Sequence, residues 1–237
     1  MAKYKICFLP DTHFPFHSKE AISKVFDLVE RIKPDIIIQC GDLLDFFSQS
    51  RFPKKPLERM SASDEIADGL ATAEEFWKVL GLKAPKAKLI QLLGNHDVRP
   101  VKMIKEVAPS LTSFISLKQI YTFPKVELID DYSDVVQIDG VAFHHGFKTK
   151  PLEHARHFES SACTGHTHRS WVHWEPINGK MRFDMSCGYL ANPQHDALKY
   201  RDTKIHKWVH GVGVINKGQP RFIAFDIPQY HYKPITF

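Results

Sequence analysis

The sequence predicts an α/β fold: two mixed β-sheets packed face to face as a sandwich, with helices on the outside. Two observations carry this. As far as Leu93 the chain alternates near-continuous apolar runs, at residues 5–9, 35–40 and 88–93, with stretches of helical periodicity. Such runs suit strands covered on both faces, and the alternation suits parallel strands. From Val126 onward the pattern changes to hairpins, marked by Asp139-Gly140, Asn178-Gly179 and Asn216-Lys217-Gly218 between apolar segments. The first half is therefore expected to be mainly parallel and the second mainly antiparallel, in one domain spanning residues 1–237.

The elements follow in order. The first strand, 5–9, stops at Pro10. Ser18 is placed as an N-cap, with Ile22, Val25, Phe26, Val29 and Ile32 at helical spacing behind it, and Pro34 ends that helix. The second strand holds three consecutive isoleucines. Residues 46–61 mix aromatics with Arg51, Lys54, Lys55 and Arg59 and contain Pro53 and Pro56, which reads as a loop. Ser63 is the expected cap of a second helix, with Asp64 and Glu65 in its first turn, Ile66, Leu70, Ala73, Trp77 and Leu80 on one face, and Gly81 at its end. After the third strand a helical pattern over 101–117 is broken at Pro109. Strands at 134–138 and 141–145 form the first hairpin, residues 152–160 a short helix, and Ala162-Cys163 leads into Gly165. Strands at 171–176 with 180–185, and at 209–215 with 221–227, complete the chain.

Bulk properties exclude several classes. With 237 residues, 43% hydrophobic and 25% charged, the chain has the composition of a globular domain and not of a disordered or collagen-like one. No run approaches the roughly 20 apolar residues of a membrane span, and the amino-terminal apolar run is too short for a signal-peptide core. A cytoplasmic protein with no membrane partner is the expectation. Cys7, Cys40, Cys163 and Cys187 form no C-x-x-C pair and read as small buried hydrophobes. The net charge of +5, raised further by any bound divalent cations, favours an anionic substrate.

The chemistry-bearing residues sit where the predicted strands end. Asp11-Thr12-His13 follows the first, Gly41-Asp42-Leu43-Leu44-Asp45 the second, and Gly94-Asn95-His96-Asp97 the third. His144-His145-Gly146 and Gly165-His166-Thr167-His168 follow later strands. Carboxyl ends of strands are where open α/β sheets place their ligands. On extended backbone, a spacing of two returns side chains to the same face, so Asp11 with His13, and His166 with His168, are each expected to bite one ion together. Asp42 has two oxygens and can bridge two ions, Asn95 offers a neutral amide oxygen, and His145 a further imidazole. His144 points to the other strand face, as packing or support. A lone Gly-His is usually a turn with a surface imidazole; five such motifs in order are not.

This ordered set, D-x-H, G-D-x-x-D, G-N-H-D, H-G and G-H-x-H over about residues 5–186, resembles the calcineurin-like metallophosphoesterases. The resemblance implies the same two-sheet architecture and a pair of ions: one held by Asp11, His13, Asp42 and His168, the other by Asp42, Asn95, His145 and His166. Oxygen and imidazole donors without thiolate suit Mn²⁺, Fe or Zn²⁺, with Mn²⁺ the preferred expectation. Two such ions about 3.5 Å apart supply hydroxide at neutral pH and clamp an in-line displacement at phosphorus. His96 resembles the histidine that protonates the leaving group, with Asp45, or else Asp97, orienting it. Arg99, Arg51 and His17 are the candidate substrate contacts. His154, His157, His173, His206, His210 and His231 are left as surface or core residues.

The substrate is less sharply specified. The protein serine/threonine phosphatases carry Arg-Gly after G-D-x-x-D and end their third motif in Glu, whereas this chain has Phe46-Phe47 and Asp97. It looks instead like the small stand-alone members common in bacteriophages. The basic and aromatic residues of the 46–59 loop, with Lys199, Arg201, Lys204, Lys207 and Trp208, suit a polynucleotide backbone. A phosphodiesterase or nuclease acting on DNA without an ATPase partner is the expectation; a phosphomonoesterase on nucleotides or phosphoproteins is the alternative. A non-catalytic scaffold is disfavoured by the filled ligand set.

Overall fold

The computed structural model describes residues 2–50, 60–198 and 207–226. In chain order the elements are β1 (Lys5–Leu9), α1 (Lys19–Ile32), β2 (Ile36–Gln39), α2 (Ala62–Lys83), β3 (Lys88–Gln91), α3 (Arg99–Val107), α4 (Leu117–Ile120) and β4 (Val126–Leu128). There follow β5 (Val136–Ile138), β6 (Val141–Phe143), α5 (Glu153–His157), β7 (Ser161–Thr164), β8 (Ser170–Ile177), β9 (Lys180–Cys187), β10 (Gly211–Asn216) and β11 (Gln219–Ala224). Short 3-10 turns lie at Phe47–Gln49 and Pro109–Phe114.

The strands form two sheets, ordered β11-β10-β1-β2-β3-β4 and β5-β6-β7-β9-β8. Strands β1 to β4 are mutually parallel, and β10 joins β1 antiparallel. The second half of the chain is mainly antiparallel as expected, but the second sheet is mixed. Its middle strands β6, β7 and β9 run parallel, and only the outer pairs β5·β6 and β8·β9 are antiparallel hairpins. The third hairpin belongs to the first sheet, flanking β1. Turn residues report a hairpin but not which sheet receives it, because that choice depends on faces far apart in sequence.

Alternation along each strand builds two cores at once. Ile6, Phe8, Ile36, Ile38 and Ile90 project between the sheets and meet Val141, Phe143, Cys163, Phe183 and Met185. Cys7, Leu9, Ile37 and Leu89 project the other way, onto Ala21, Val25, Leu28 and Val29 of α1 and Ala73, Phe76, Trp77 and Leu80 of α2. This is why the strands read as continuous apolar runs: neither face is wet. The four cysteines are all free and buried, as expected for small core residues.

Helix ends refine the sequence reading. Ser18 caps α1, its Oγ accepting from Ala21 N at 3.2 Å. The cap of α2 is Ser61 and not Ser63: Ser61 Oγ accepts from Asp64 N at 3.1 Å, while Ser63 lies inside the first turn. Gly81 does not end α2, which continues to Lys83. In that same first turn Glu65 is buried, its carboxylate accepting from Phe47 N and Ser48 N, so α2 anchors the loop after β2. The consequence of the two-faced packing is measurable at Phe8, whose ring lies 5.7 Å from that of Phe143 between the sheets. Phe8→Ala is expected to lower the denaturant-unfolding free energy by about 3–5 kcal/mol; a loss under 1 kcal/mol would mean the sheets do not interlock there.

Candidate metal centre

Five strands deliver their carboxyl ends to one point. β1 leads into Asp11 and His13, β2 into Asp42 and Asp45, β3 into Asn95 and His96, β6 into His145, and β7 into His166 and His168. The loops after β2 and β3 must almost touch. Gly94 makes this possible, because a Cβ there would fall 2.1 Å from Asp42 Oδ1.

The seven side chains expected to hold metal converge in two halves. In one, His13 Nε2 and His168 Nε2 face each other at 3.2 Å, with Asp11 Oδ1 3.7 Å from His168 Nε2. In the other, Asn95 Oδ1 lies 3.1 Å from His145 Nε2 and 2.9 Å from His166 Nδ1. Asp42 stands between them, its Oδ2 3.4 Å from His145 Nε2 and 3.9 Å from His13 Nε2. Asp11, His13, Asp42, His145 and His168 are buried, and Asn95 and His166 half-buried, so the site opens on the Asn95 and His166 side.

The convergence does not arise from extended backbone. His13, Asp42, His166 and His168 all have positive φ, at 51°, 50°, 67° and 59°. His166 and His168 consequently do not share a face but go to opposite halves. Left-handed backbone is uncommon for residues with a side chain, though histidine and aspartate tolerate it better than most.

The donor set suits cations. His145 gives its Nδ1 hydrogen to the Cys40 carbonyl at 3.2 Å, so in the neutral ring Nε2 carries a lone pair, yet it faces the oxygens of Asn95 and Asp42. His13 likewise gives Nδ1–H to Asp45 Oδ2 at 2.8 Å and turns the Nε2 lone pair on His168. Lone pairs facing lone pairs are satisfied by a positive ion or by a proton on the ring. Burial alone would lower His145, but Asp42, with Asp11 and Asp97 behind it, raises it to about 9. Against the same burial, Asp45, Asp42 and Asp11 raise His13. Burial works to raise Asp42 and Asp11 too, and the surrounding histidines hold both carboxyls down. His166 falls to about 4, through burial and the charge of His145. These residues fit a pair of divalent ions of oxygen and nitrogen preference.

The neighbouring candidates divide. His96 is buried beside the cluster: its N–H donates to Asp42 Oδ1 at 2.7 Å and its Nδ1 meets the carbonyl of Asp45 at 2.9 Å. The carboxylate of Asp45 lies nearer to His13 than to His96 Nδ1, at 2.8 against 3.5 Å, so it chiefly fixes the ring of His13. Asp97 is turned away from the ring of His96. It accepts from Leu43 N, Leu44 N, Gly94 N and the hydroxyl of Tyr121, tying the second and third motif loops together. Burial, then the charge of Asp42, raises its carboxyl to about 6. Arg99 Nη2 meets His96 Nε2 at 2.9 Å, while Nη1 donates to the carbonyls of Asp45 and Phe46. His17 does not reach the cluster, its ring packing on Phe14 and its Nδ1 meeting the Pro15 carbonyl. Arg51, Lys199, Arg201, Lys204, His206 and His231 lie outside the described residues.

Supporting residues escaped the sequence reading. His154 Nε2 accepts from Phe147 N and Lys148 N at 3.0 and 3.1 Å, pinning the chain just after His145. Asp184 accepts from His154 N and Ala155 N and so caps α5. No local pattern marks the role of Asp184, because its partners lie 29 and 30 residues away. His144, read as packing or support, accepts from Gly146 N.

A model of the family described as calcineurin-like phosphoesterase matches residues 4–211. The gene 54 protein of Mycobacterium phage L5 is 25% identical over 211 residues, covering 79% of this chain and 80% of that protein. Its namesake from Mycobacterium phage D29 is 25% identical over 234 residues, covering 89% and 88%. Among solved structures, the E. coli phosphoesterase YfcE aligns at a TM-score of 0.43 and 15% identity, covering 90% of this chain and 88% of that one. Vps29 of Chaetomium thermophilum aligns at 0.43 and 15%, covering 90% and 80%.

Two outcomes follow. Because Asp42 raises His145 to about 9, metal uptake at neutral pH displaces its extra proton; calorimetry with Mn²⁺ in buffers of different ionisation heat should record proton release, with affinity rising up to about pH 9. An affinity independent of pH would contradict the lone-pair arrangement. Tyr121→Phe leaves the buried Asp97 carboxylate short of one donor and should cost about 1–3 kcal/mol in chemical denaturation.

Proposed function

The chain belongs to the calcineurin-like phosphoesterases, and from that premise we propose that it is a phosphodiesterase whose substrate is DNA. The observation that supports a hydrolase is the convergence of Asp11, His13, Asp42, Asn95, His145, His166 and His168 with their donor atoms turned inward. The first ion would be held by Asp11, His13, Asp42 and His168, and the second by Asp42, Asn95, His145 and His166. Mn²⁺ is the preferred pair. When bound, such ions supply Lewis acidity to the phosphoryl oxygens and make water acidic enough to attack at neutral pH.

The chain's own groups do the rest. His96, with Nδ1 held by the Asp45 carbonyl, directs Nε2 to the site and delivers a proton from that atom to the departing alkoxide. Arg99 Nη2 donates to Nε2 before substrate arrives; a phosphoryl oxygen draws this donor to itself, and the freed Nε2 takes up a proton from solvent and passes it to the alkoxide. Asp45 holds His13 in the tautomer that presents Nε2.

Arg99 also bears on the ester class. Its Nη1 is already committed to two backbone carbonyls, which leaves one edge of the guanidinium for substrate. One edge suits the single charge of a diester better than the two charges of a monoester. The net charge of +5 suits a polyanion such as DNA, and no ATPase partner enters this scheme.

With Mn²⁺, bis-p-nitrophenyl phosphate should turn over faster than p-nitrophenyl phosphate, and single-stranded, duplex or circular DNA should be nicked in a chelator-sensitive way. Faster monoester turnover with intact DNA would replace the diesterase reading by the phosphomonoesterase one. His96→Ala should lower kcat about 10²–10⁴-fold while leaving Mn²⁺ bound.

A further inference from the structure

Helix α3 begins directly after the Gly94-Asn95-His96-Asp97 loop, and none of its nine residues is fully buried. Its seating at the site comes from its first residue, Arg99, wedged between His96 and the carbonyls of Asp45 and Phe46. Lys102 is three residues further on, hence on the same helical face one turn away. Its Nζ lies over the ring of Tyr132, 5.6 Å from the centroid. That ring is 6.2 Å from His145, and its hydroxyl donates to the carbonyl of Gly146 at 3.2 Å. Tyr132 is half-buried and Lys102 exposed, so the ammonium is steadied by an aromatic face and still open to solvent. Two cations on one helix thus lie near the site: Arg99 against His96, and Lys102 on Tyr132, the ring next to His145.

We propose that Lys102, steadied on Tyr132, is a subsite for the phosphate next to the scissile one on a single strand of nucleic acid. This deepens the reading given above and rests on it for the position of the scissile phosphate. A small diester has one phosphate and reaches Arg99 alone. A polynucleotide carries a phosphate at every nucleotide and engages both cations, so the subsite favours polymeric substrates. The contact is to the backbone and carries no base preference.

The test is equilibrium binding of a fluorescein-labelled oligodeoxythymidylate to the His96→Ala protein with Mn²⁺, followed by anisotropy over a range of NaCl concentrations. Adding Lys102→Ala should flatten the slope of log affinity against log salt by about 0.7, the share of one single-strand phosphate contact, and weaken binding at low salt roughly tenfold. Lys102→Arg should restore both. On an otherwise native background, Lys102→Ala should lower the ratio of oligonucleotide to bis-p-nitrophenyl phosphate kcat/KM. An unchanged slope, an equal loss on both substrates, or no oligonucleotide binding at all overturns the subsite. Turnover of bis-p-nitrophenyl phosphate with an unchanged slope would leave the phosphodiesterase standing and the subsite refuted; a flattened slope with no turnover by the otherwise native protein would refute the phosphodiesterase and reduce Lys102 to a backbone contact beside no scissile phosphate.

Discussion

The structure depends on one buried carboxylate. Asp42 sits at the end of β2, between the two halves of a cluster of imidazoles whose charge holds its carboxyl down against burial. Its Oδ1 takes the backbone N–H of His96, and its Oδ2 faces His145 and, further off, His13. A carboxylate at this depth is costly unless it is paired and hydrogen-bonded. His145 and His13 spend their Nδ1 hydrogens elsewhere, on the Cys40 carbonyl and on Asp45, so what faces the acid is Nε2. In the metal-free protein the charge of Asp42 favours a second proton on His145, and an ion that takes the Nε2 lone pair must displace it.

The fold makes that concentration of charge tolerable. Strands with apolar residues on both faces place a dry layer beneath the cluster, between the sheets, and another under α1 and α2. The polar groups are confined to the strand ends. There the loops brace one another through Asp97, which binds the loop after β2 to the loop after β3 and takes the Tyr121 hydroxyl besides. On the second sheet His154 and Asp184 perform the corresponding task for the loop that carries His145. The parallel run β6-β7-β9 follows from the same requirement, since it brings the ends of β6 and β7 to one edge.

Much of this was legible in the sequence because it is local. Apolar runs located β1, β2 and β3, two-residue turn signals located the hairpins, and the polar residues at strand ends were the ones that converge. What could not be read depends on distant partners. Ser61 and Ser63 are equally good caps by composition, and the chain chose the one whose geometry suits the anchored loop. Asp97 looked like a partner for its neighbour His96 and instead serves residues 53 and 54 positions away. Glu65 looked like a helix-dipole residue and holds the 3-10 turn at Phe47. The spacing rule for His166 and His168 assumed extended backbone, which the structure replaces with left-handed residues.

Those left-handed residues constrain how the centre is able to change. Of the seven inward-facing side chains, His13, Asp42, His166 and His168 sit at positive φ. Such a conformation costs on the order of 1–2 kcal/mol for an ordinary side chain and is least unfavourable for glycine, asparagine and aspartate. Exchanging one donor for asparagine or aspartate at these places therefore asks little of the main chain, whereas valine, isoleucine or threonine would strain it before any question of coordination arose. Drift in the lineage, or redesign toward a different ion, has a short list of permitted letters at four positions, written by the path of the backbone.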